Sequence, residues 1–431
     1  MSEWQKKRIS DLATFHRGFT WSSSQETNQP GPGRVPVLRI PNVQERLDTS
    51  DILYIQGVSP ANVTRFKATK DWLLMVGSNG NPARVGDTVL IREDNDFLFA
   101  SFLVGVEPST NEGVDPYFLL YLMQSEATRK AIDDSIKGTT GLRNISLTHL
   151  AVHEFDCPPP AEQRKIARIL TTLDELIEKT EALIAKYQAI KQGMMHDLFT
   201  RGVDEHGHLR PTYDEAPELY KESVLGWIPR EWEVIPLGEK IAFITDYRGK
   251  TPPYSSHGIP ALSAENIGGG SIKKITKHVS ADVYRRWTTR GFPEPGDVIF
   301  TTEAPVGEVA TLPGDKTYLL TRRVIAFRPD TEALRKGYLY WQLFREKRND
   351  VWDRYVHGST VPRILKPDVL GHPIRLPPPA EQDRIASALE ACDTRIVQEG
   401  RMLSKLRLRK TGLMQDLLTG NVRVKVDEED E

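Results

Sequence analysis

Two short stretches of this 431-residue chain carry residue types that could do chemistry, and each lacks a group the chemistry requires. Gly249-Lys250-Thr251 ends like a phosphate-binding loop, but the glycine needed five residues before Gly249, where backbone amides must wrap a phosphate, is Ile244. His206-Gly207-His208 offers two imidazoles, yet no Cys, Asp or Glu stands around them at zinc-ligand spacing. Cys157 and Cys392 show no metal spacing either and read as free thiols. No Gly-x-Ser-x-Gly nucleophile elbow occurs.

Thr251-Pro252-Pro253-Tyr254 approaches the Asn- or Asp-Pro-Pro-aromatic turn of amino-methyltransferases, but Thr251 supplies neither the amide nor the carboxylate that accepts from the target amine. What remains are polar loops whose side chains hydrogen-bond the edges of bases: Arg39, Asn42, Ser78, Asn79, Arg84, Arg143 and Asn144 in the first part of the chain. Arg248, Lys250, Asn266, Thr302, Arg322, Arg323, Ser359 and Arg363 are the candidates in the second. Such residues are equally at home on a solvated surface, so their meaning depends on the elements that position them.

Those elements are written twice. Pro-Pro-Pro-Ala-Glu-Gln occurs at Pro158 to Gln163 and at Pro377 to Gln382; Pro158–Thr200 and Pro377–Thr419 align without a gap, and 18 of the 43 pairs are identical, enough to mark an internal repeat. In the first copy Ile166, Leu170, Leu173, Ile177, Ile184 and Tyr187 follow steps of three and four, with Thr180 interrupting. Ile385, Leu389, Ile396, Leu403 and Leu406 do so in the second, interrupted at Glu399. This is the 3.5-residue period of a narrow seam between two helices, and it predicts a pair packed antiparallel.

The prolines allow a first helical turn but no helix upstream, and Glu162 and Glu381 fall near the positive end of the helix dipole. Gly202 and Gly420 suit the stops. A helix from Gln163 to Phe199 would be a rod of ~55 Å at ~1.5 Å per residue.

Before each helix lies a mixed α and β segment. In the first, Val35–Ile40, Trp72–Gly77, Asp87–Ile91 and Phe97–Val106 read as strands, and Tyr117–Ile132 reads as one helix. The second repeats this order more loosely: Val35–Leu38 answers Ile259–Leu262, Phe102–Ser109 answers Arg323–Asp330, Tyr117 answers Tyr338, and the loop Gly138–Arg143 answers Gly358–Arg363. The expected boundaries are a first mixed domain at 1–157, a long helix at 158–202, an irregular connector at 203–232, a second mixed domain at 233–376, a second long helix at 377–420 and an acidic tail at 421–431. The fold class is α+β.

Composition, with 39% hydrophobic and 27% charged residues, predicts a globular chain, and no apolar run approaches the ~20 residues of a membrane span. No apolar signal region opens the sequence, so a cytoplasmic location is expected. The formal charge is −2, but Asp427 to Glu431 alone contribute −5, and Glu231–Leu376 carries 22 basic against 17 acidic residues. That balance is compatible with a nucleic-acid partner. Three readings stay open: a scaffold holding two unlike readers on duplex DNA, a single-chain DNA-modifying enzyme, and a coiled-coil protein whose domains bind something else.

The duplicated order, the Pro-Pro-Pro-Ala-Glu-Gln starts, the helix ends Gly193–Thr200 and Gly412–Gly420, and the Gly-Thr-Thr and Gly-Ser-Thr loops together resemble the specificity subunit of type I restriction-modification enzymes, over essentially the whole chain. The resemblance implies two target recognition domains, each reading one half of an asymmetric bipartite DNA site. It implies an antiparallel coiled coil that sets the unread gap and docks two methylation subunits. Those partners would carry S-adenosylmethionine, this chain none; motor-nuclease subunits would join them.

Overall fold

The computed structural model describes residues 4–136, 142–247 and 251–426. Compact packing divides the chain into one unit of 1–182 with 401–431 and another of 183–400. Both long helices, Pro160–Leu198 and Pro379–Leu418, are cut by that division, so each unit contains a segment of both.

In the first unit a four-stranded antiparallel sheet runs in the order Ala13–Arg17, Leu103–Pro108, Leu73–Val76, Thr88–Leu90. Leu73–Val76 is buried along its whole length because alternate side chains enter two cores: Leu73 and Met75 pack with the helices, Leu74 and Val76 with Leu38, Phe99 and Leu103. A strand covered on both faces must be apolar at every position, which is why it reads as an unbroken run. A second sheet joins Glu26–Thr27, Leu53–Gln56, Arg34–Leu38 and Leu98–Phe99, the last two parallel. The single helix expected at 117–132 is two, Pro116–Gln124 and Glu126–Ser135. Ser125 breaks it by staying extended and accepting from the Thr128 amide, a serine N-cap inside an otherwise periodic stretch.

The second unit repeats the order: Ile241–Asp246, Val324–Pro329, Val298–Thr302, Val306–Thr311 form its antiparallel sheet, and Ile259–Leu262 again runs parallel to a short strand, Leu319–Leu320. Residues 203–232, expected to be irregular, are built into this unit. They form a hairpin of Tyr220–Ser223 with Gly226–Pro229, and Val203, Ile228 and Trp232 are core residues. A segment rich in Pro, Gly and acidic residues is here held by buried side chains, Tyr220 among them, rather than by periodicity.

The repeated Glu-Gln of the two helix starts fastens each unit. Glu162, buried, accepts from the Trp4 indole at 3.0 Å and from both arms of the Arg423 fork at 3.0 and 2.5 Å. Glu381, also buried, accepts from the Trp232 indole at 3.1 Å, from Arg210 at 2.5 and 3.0 Å and from the Val203 amide at 2.8 Å. Gly202 makes this approach possible: its φ is +65°, and a Cβ there would stand 2.1 Å from a Glu381 carboxylate oxygen.

Beside them, Gln163 accepts from the amide of Asp115 at 3.2 Å and Gln382 from that of Arg335 at 2.8 Å, the N-cap residues of Pro116–Gln124 and Lys336–Arg348. This shared contact shifts the expected pairing of Tyr117 with Tyr338 by one residue: Phe118 is the true counterpart of Tyr338, and both are fully buried. Among the described residues no helix is long and apolar enough to cross a membrane.

Candidate nucleic-acid interface

At one end of each central sheet three chain segments meet with the same hydrogen bonds. In the first unit the Gly77 amide donates to the Phe102 carbonyl at 2.9 Å, and the Ile145 amide donates to the Gly77 carbonyl at 2.9 Å. In the second the Thr302 amide donates to the Arg323 carbonyl at 2.9 Å, and the Ile364 amide to the Thr302 carbonyl at 2.8 Å. The flanking register agrees, since the amides of Ala100 and Thr321 both donate at 2.9 Å, to the carbonyls of Leu38 and Leu262. Backbone geometry therefore makes Gly77 equivalent to Thr302, Phe102 to Arg323, and Asn144 to Arg363.

The first corner gathers several of the sequence-derived candidates. Ser78–Asn79 pairs antiparallel with Arg143–Asn144. Asn144 is exposed, and Asn79 and Arg143 are half-buried. Ser78 is buried, and among the described residues its hydroxyl has no hydrogen-bond partner. Leu142 and Phe102, about half exposed, stand beside them as apolar members the sequence reading left out.

Arg84 is drawn inward, paired with Asp87 at 2.6 Å and donating to the carbonyls of Val43 and Ile40, so it braces a loop. Asn42 leaves the set of surface candidates: it is buried, accepts from the Arg39 amide at 2.7 Å and gives both amide hydrogens to the Asp48 and Asp51 carbonyls at 2.8 and 2.9 Å. Arg39 itself pairs with Asp51 at 3.2 Å.

The second corner gathers Thr302, Arg323 and Arg363. Arg363 pairs through its backbone, in isolated antiparallel β-bridges, with Glu303 and with His357. The Arg323 guanidinium holds Glu303 at 2.7 Å, with the Arg323 backbone in the left-handed region at φ +74°. A non-glycine residue there costs about 1–3 kcal/mol and persists only where its surroundings hold it. Arg322, Ser359 and Arg363 are exposed. Asn266, like Asn42, is buried and braces its own loop through Ser263 and the Lys274 carbonyl. Arg248 and Lys250, and all of the Gly138–Arg143 loop before Leu142, lie outside the described residues.

The seam positions face inward. Ile166, Leu170, Ile177, Ile385, Leu389 and Leu406 are buried; Leu173, Ile184, Tyr187, Ile396 and Leu403 are half-buried. Leu176, Ile190, Val397, Met402 and Leu408, off the periodic positions, are exposed. Within the first unit Asp174 pairs with Lys410 at 2.7 Å and Glu181 with Arg407 at 2.7 Å, partners that run in opposite order along the two helices. Tyr121 ties the mixed domain to the same site, donating to Asp174 at 2.7 Å. Within the second unit Lys191 pairs with Asp393.

One further arrangement has the look of a proton relay. Tyr355 meets His372 Nδ1 at 3.0 Å, and His372 Nε2 lies 3.1 Å from Glu346. His372 and Glu346 are 1% and 3% exposed, so no substrate reaches them. Among the described residues no group of His, Cys, Asp or Glu could hold a metal ion.

A family model described as type I restriction modification DNA specificity domain matches residues 1–188 and again 229–406. The chain is similar to two specificity subunits of Methanocaldococcus jannaschii. It is 26% identical to that of type I restriction enzyme MjaIX over 433 residues, covering 98% of this chain and 94% of the relative. To that of MjaVIII it is 27% identical over 335 residues, covering 76% and 75%. A crystal structure of the S subunit of a type I restriction-modification system from M. genitalium superposes with a TM-score of 0.61 at 16% identity, covering 96% of each chain, a likeness of fold.

Proposed function

This chain belongs to the type I restriction modification DNA specificity family, and from that premise we propose that its two units read the two halves of one asymmetric DNA site, each through the corner at the end of its central sheet. The observation that carries this reading is the pair of corners: one hydrogen-bond skeleton, two different sets of side chains. A skeleton held constant while its side chains diverge suits two readers of different sequences. Asn144 and Asn79 have the chemistry to take adenine, and Arg323 and Arg363 that to take guanine by bidentate contact.

In this reading the chain is a non-catalytic subunit. The seam makes the two long helices an antiparallel coiled coil that sets the unread gap between half-sites. Exposed Met402 and Leu408 on the second helix within the first unit, and Ile190 of the first helix with Val397 of the second within the second unit, suit the docking of two methylation subunits. Those subunits would bring S-adenosylmethionine and the transfer of its methyl group to adenine; motor-nuclease subunits would complete a cleaving complex.

The test is to map methylated adenines genome-wide in host cells with and without the gene. A bipartite motif with a fixed gap should lose its methylation on deletion, and exchanging residues 1–150 for those of another family member should change one half only. Methylation that survives deletion, with no methylation subunit co-purifying, would sink the reading. Inserting four residues near both Thr180 and Glu399 should lengthen the helices by ~6 Å. The gap should then grow by about two base pairs of ~3.4 Å each with both halves intact.

A further inference from the structure

Phe102 occupies, in the first corner, the place that Arg323 occupies in the second. Their carbonyls receive the equivalent amides of Gly77 and Thr302 at the same 2.9 Å, and the residues on either side keep step, Ala100 with Thr321 and Leu103 with Val324. The Phe102 carbonyl also accepts from the Ser78 amide at 3.2 Å, and the Leu103 amide closes the turn onto Ala100 at 2.8 Å. The backbone is thus fixed from three sides. With Leu103 fully buried just after it, the phenyl ring is left 48% exposed beside Ser78.

A single exposed aromatic is common on protein surfaces and by itself decides nothing. Position decides here. The antiparallel pair Ser78–Asn79 with Arg143–Asn144 brings polar side chains to this corner, and Leu142, half exposed, is its other apolar member; of the two, Phe102 holds the place that Arg323 holds in the second unit. A phenyl ring can neither donate to nor accept from a base edge. The major groove offers it one apolar group, the 5-methyl of thymine.

We propose that Phe102 is a specificity-determining residue of the first unit, selecting an A·T pair by contact with the thymine methyl at the position where the second unit has Arg323, its guanidinium paired with Glu303. The proposal rests on the DNA-reading function above and adds to it the identity of one contact in the first half-site. It also gives the substrate a chemical feature: the first half carries a thymine whose methyl group is read.

The experiment uses the full chain assembled with its methylation subunits and duplexes bearing the motif recovered from methylation mapping. Each thymine of the first half is replaced singly by deoxyuridine, which removes only the methyl. One replacement should weaken wild-type binding ~4-fold, the equivalent of about 0.8 kcal/mol for one buried methyl group. Phe102→Ala should bind the unmodified duplex weaker by at least that factor and be indifferent to the same replacement, while its discrimination in the second half stays unchanged.

If no deoxyuridine position matters to the wild type, or Phe102→Ala feels the same loss, the proposal is overturned while DNA reading stands. Fluorescence of 2-aminopurine rising at one step with no methyl dependence would overturn it in favour of a wedge that unstacks the bases. Failure to recover any bipartite motif would overturn the underlying function and this proposal with it.

Discussion

The two fasteners and the two corners answer opposite demands. At the fasteners both units keep the same chemistry: a buried glutamate receiving one tryptophan indole and one arginine fork, beside a glutamine that holds the N-cap of the next helix. At the corners both keep the same backbone bonds, while Phe102 stands where the second unit has Arg323 and Asn144 where it has Arg363. Where the two halves of the chain must hold, side chains are constant; where they must discriminate, only these backbone hydrogen bonds are, and Arg323 alone of its pair has a left-handed φ.

The fasteners still differ in one respect. The donors to Glu162 come from the two extremities of the described chain, Trp4 and Arg423, whereas those to Glu381 come from the connector, Arg210 and Trp232.

The largest effect expected follows from that difference. Glu381→Ala leaves the Arg210 guanidinium, whose side chain is 13% exposed, with only Glu231 and the Arg201 carbonyl, and strands a buried indole and amide. Removing one partner of a buried pair should cost about 3–5 kcal/mol. Glu162→Ala removes a carboxylate partner from Arg423, which is 31% exposed and can rehydrate, so about 1–2 kcal/mol is expected. Hydrogen–deuterium exchange should report Glu381→Ala in the connector and Glu162→Ala around Trp4 and Arg423; equal losses would remove the distinction.

A smaller, local effect is expected at the corner. Arg323→Ala should relax recognition at one position of the second half by about 1–3 kcal/mol, on top of a loss of stability of up to about 1 kcal/mol from freeing Glu303. Binding to duplexes varied one base at a time checks it. A uniform loss over all positions would mark Arg323 as a phosphate contact instead.

The sequence carried the holding parts well and the reading parts poorly. Periodicity is a local property, so the long helices Pro160–Leu198 and Pro379–Leu418 could be read directly, as could their starts. Glu162 and Glu381 suggested a dipole interaction because their partners lie up to 261 residues away; the tryptophans at 4 and 232, each preceded by glutamate, were the available clue.

At the corners, residue type alone could not separate Asn144, exposed, from Asn42 and Asn266, which spend their amides on their own loops. Phe102 was missed because a search for base-reading donors passes over phenylalanine, although the repeat had already set it opposite Arg323. Ser125 could not be seen to split a helix until its hydroxyl met the Thr128 amide.

The least effect expected concerns Cys157, which precedes the first proline triplet as Leu376 precedes the second. Both are buried. Burial pushes the Cys157 thiol up to about 11, against an ordinary value of 9.0. The unfolded chain therefore loses this proton before the folded one does, and between those values the unfolded state binds fewer protons, so stability falls as pH rises through the window.

Cys157→Leu gives the first unit the side chain the second already has and removes that proton altogether. At pH 8 the substitution, which adds two heavy atoms to a buried site, should cost about 1–3 kcal/mol. On going to pH 10 the wild type should lose about 1 kcal/mol more than the variant, one pH unit above the ordinary thiol value being worth ~1.4 kcal/mol at full effect. Urea midpoints of both proteins at the two pH values measure the difference. Parallel losses would mean that the thiol meets water in the first unit and that the place before the prolines is not the same in the two halves.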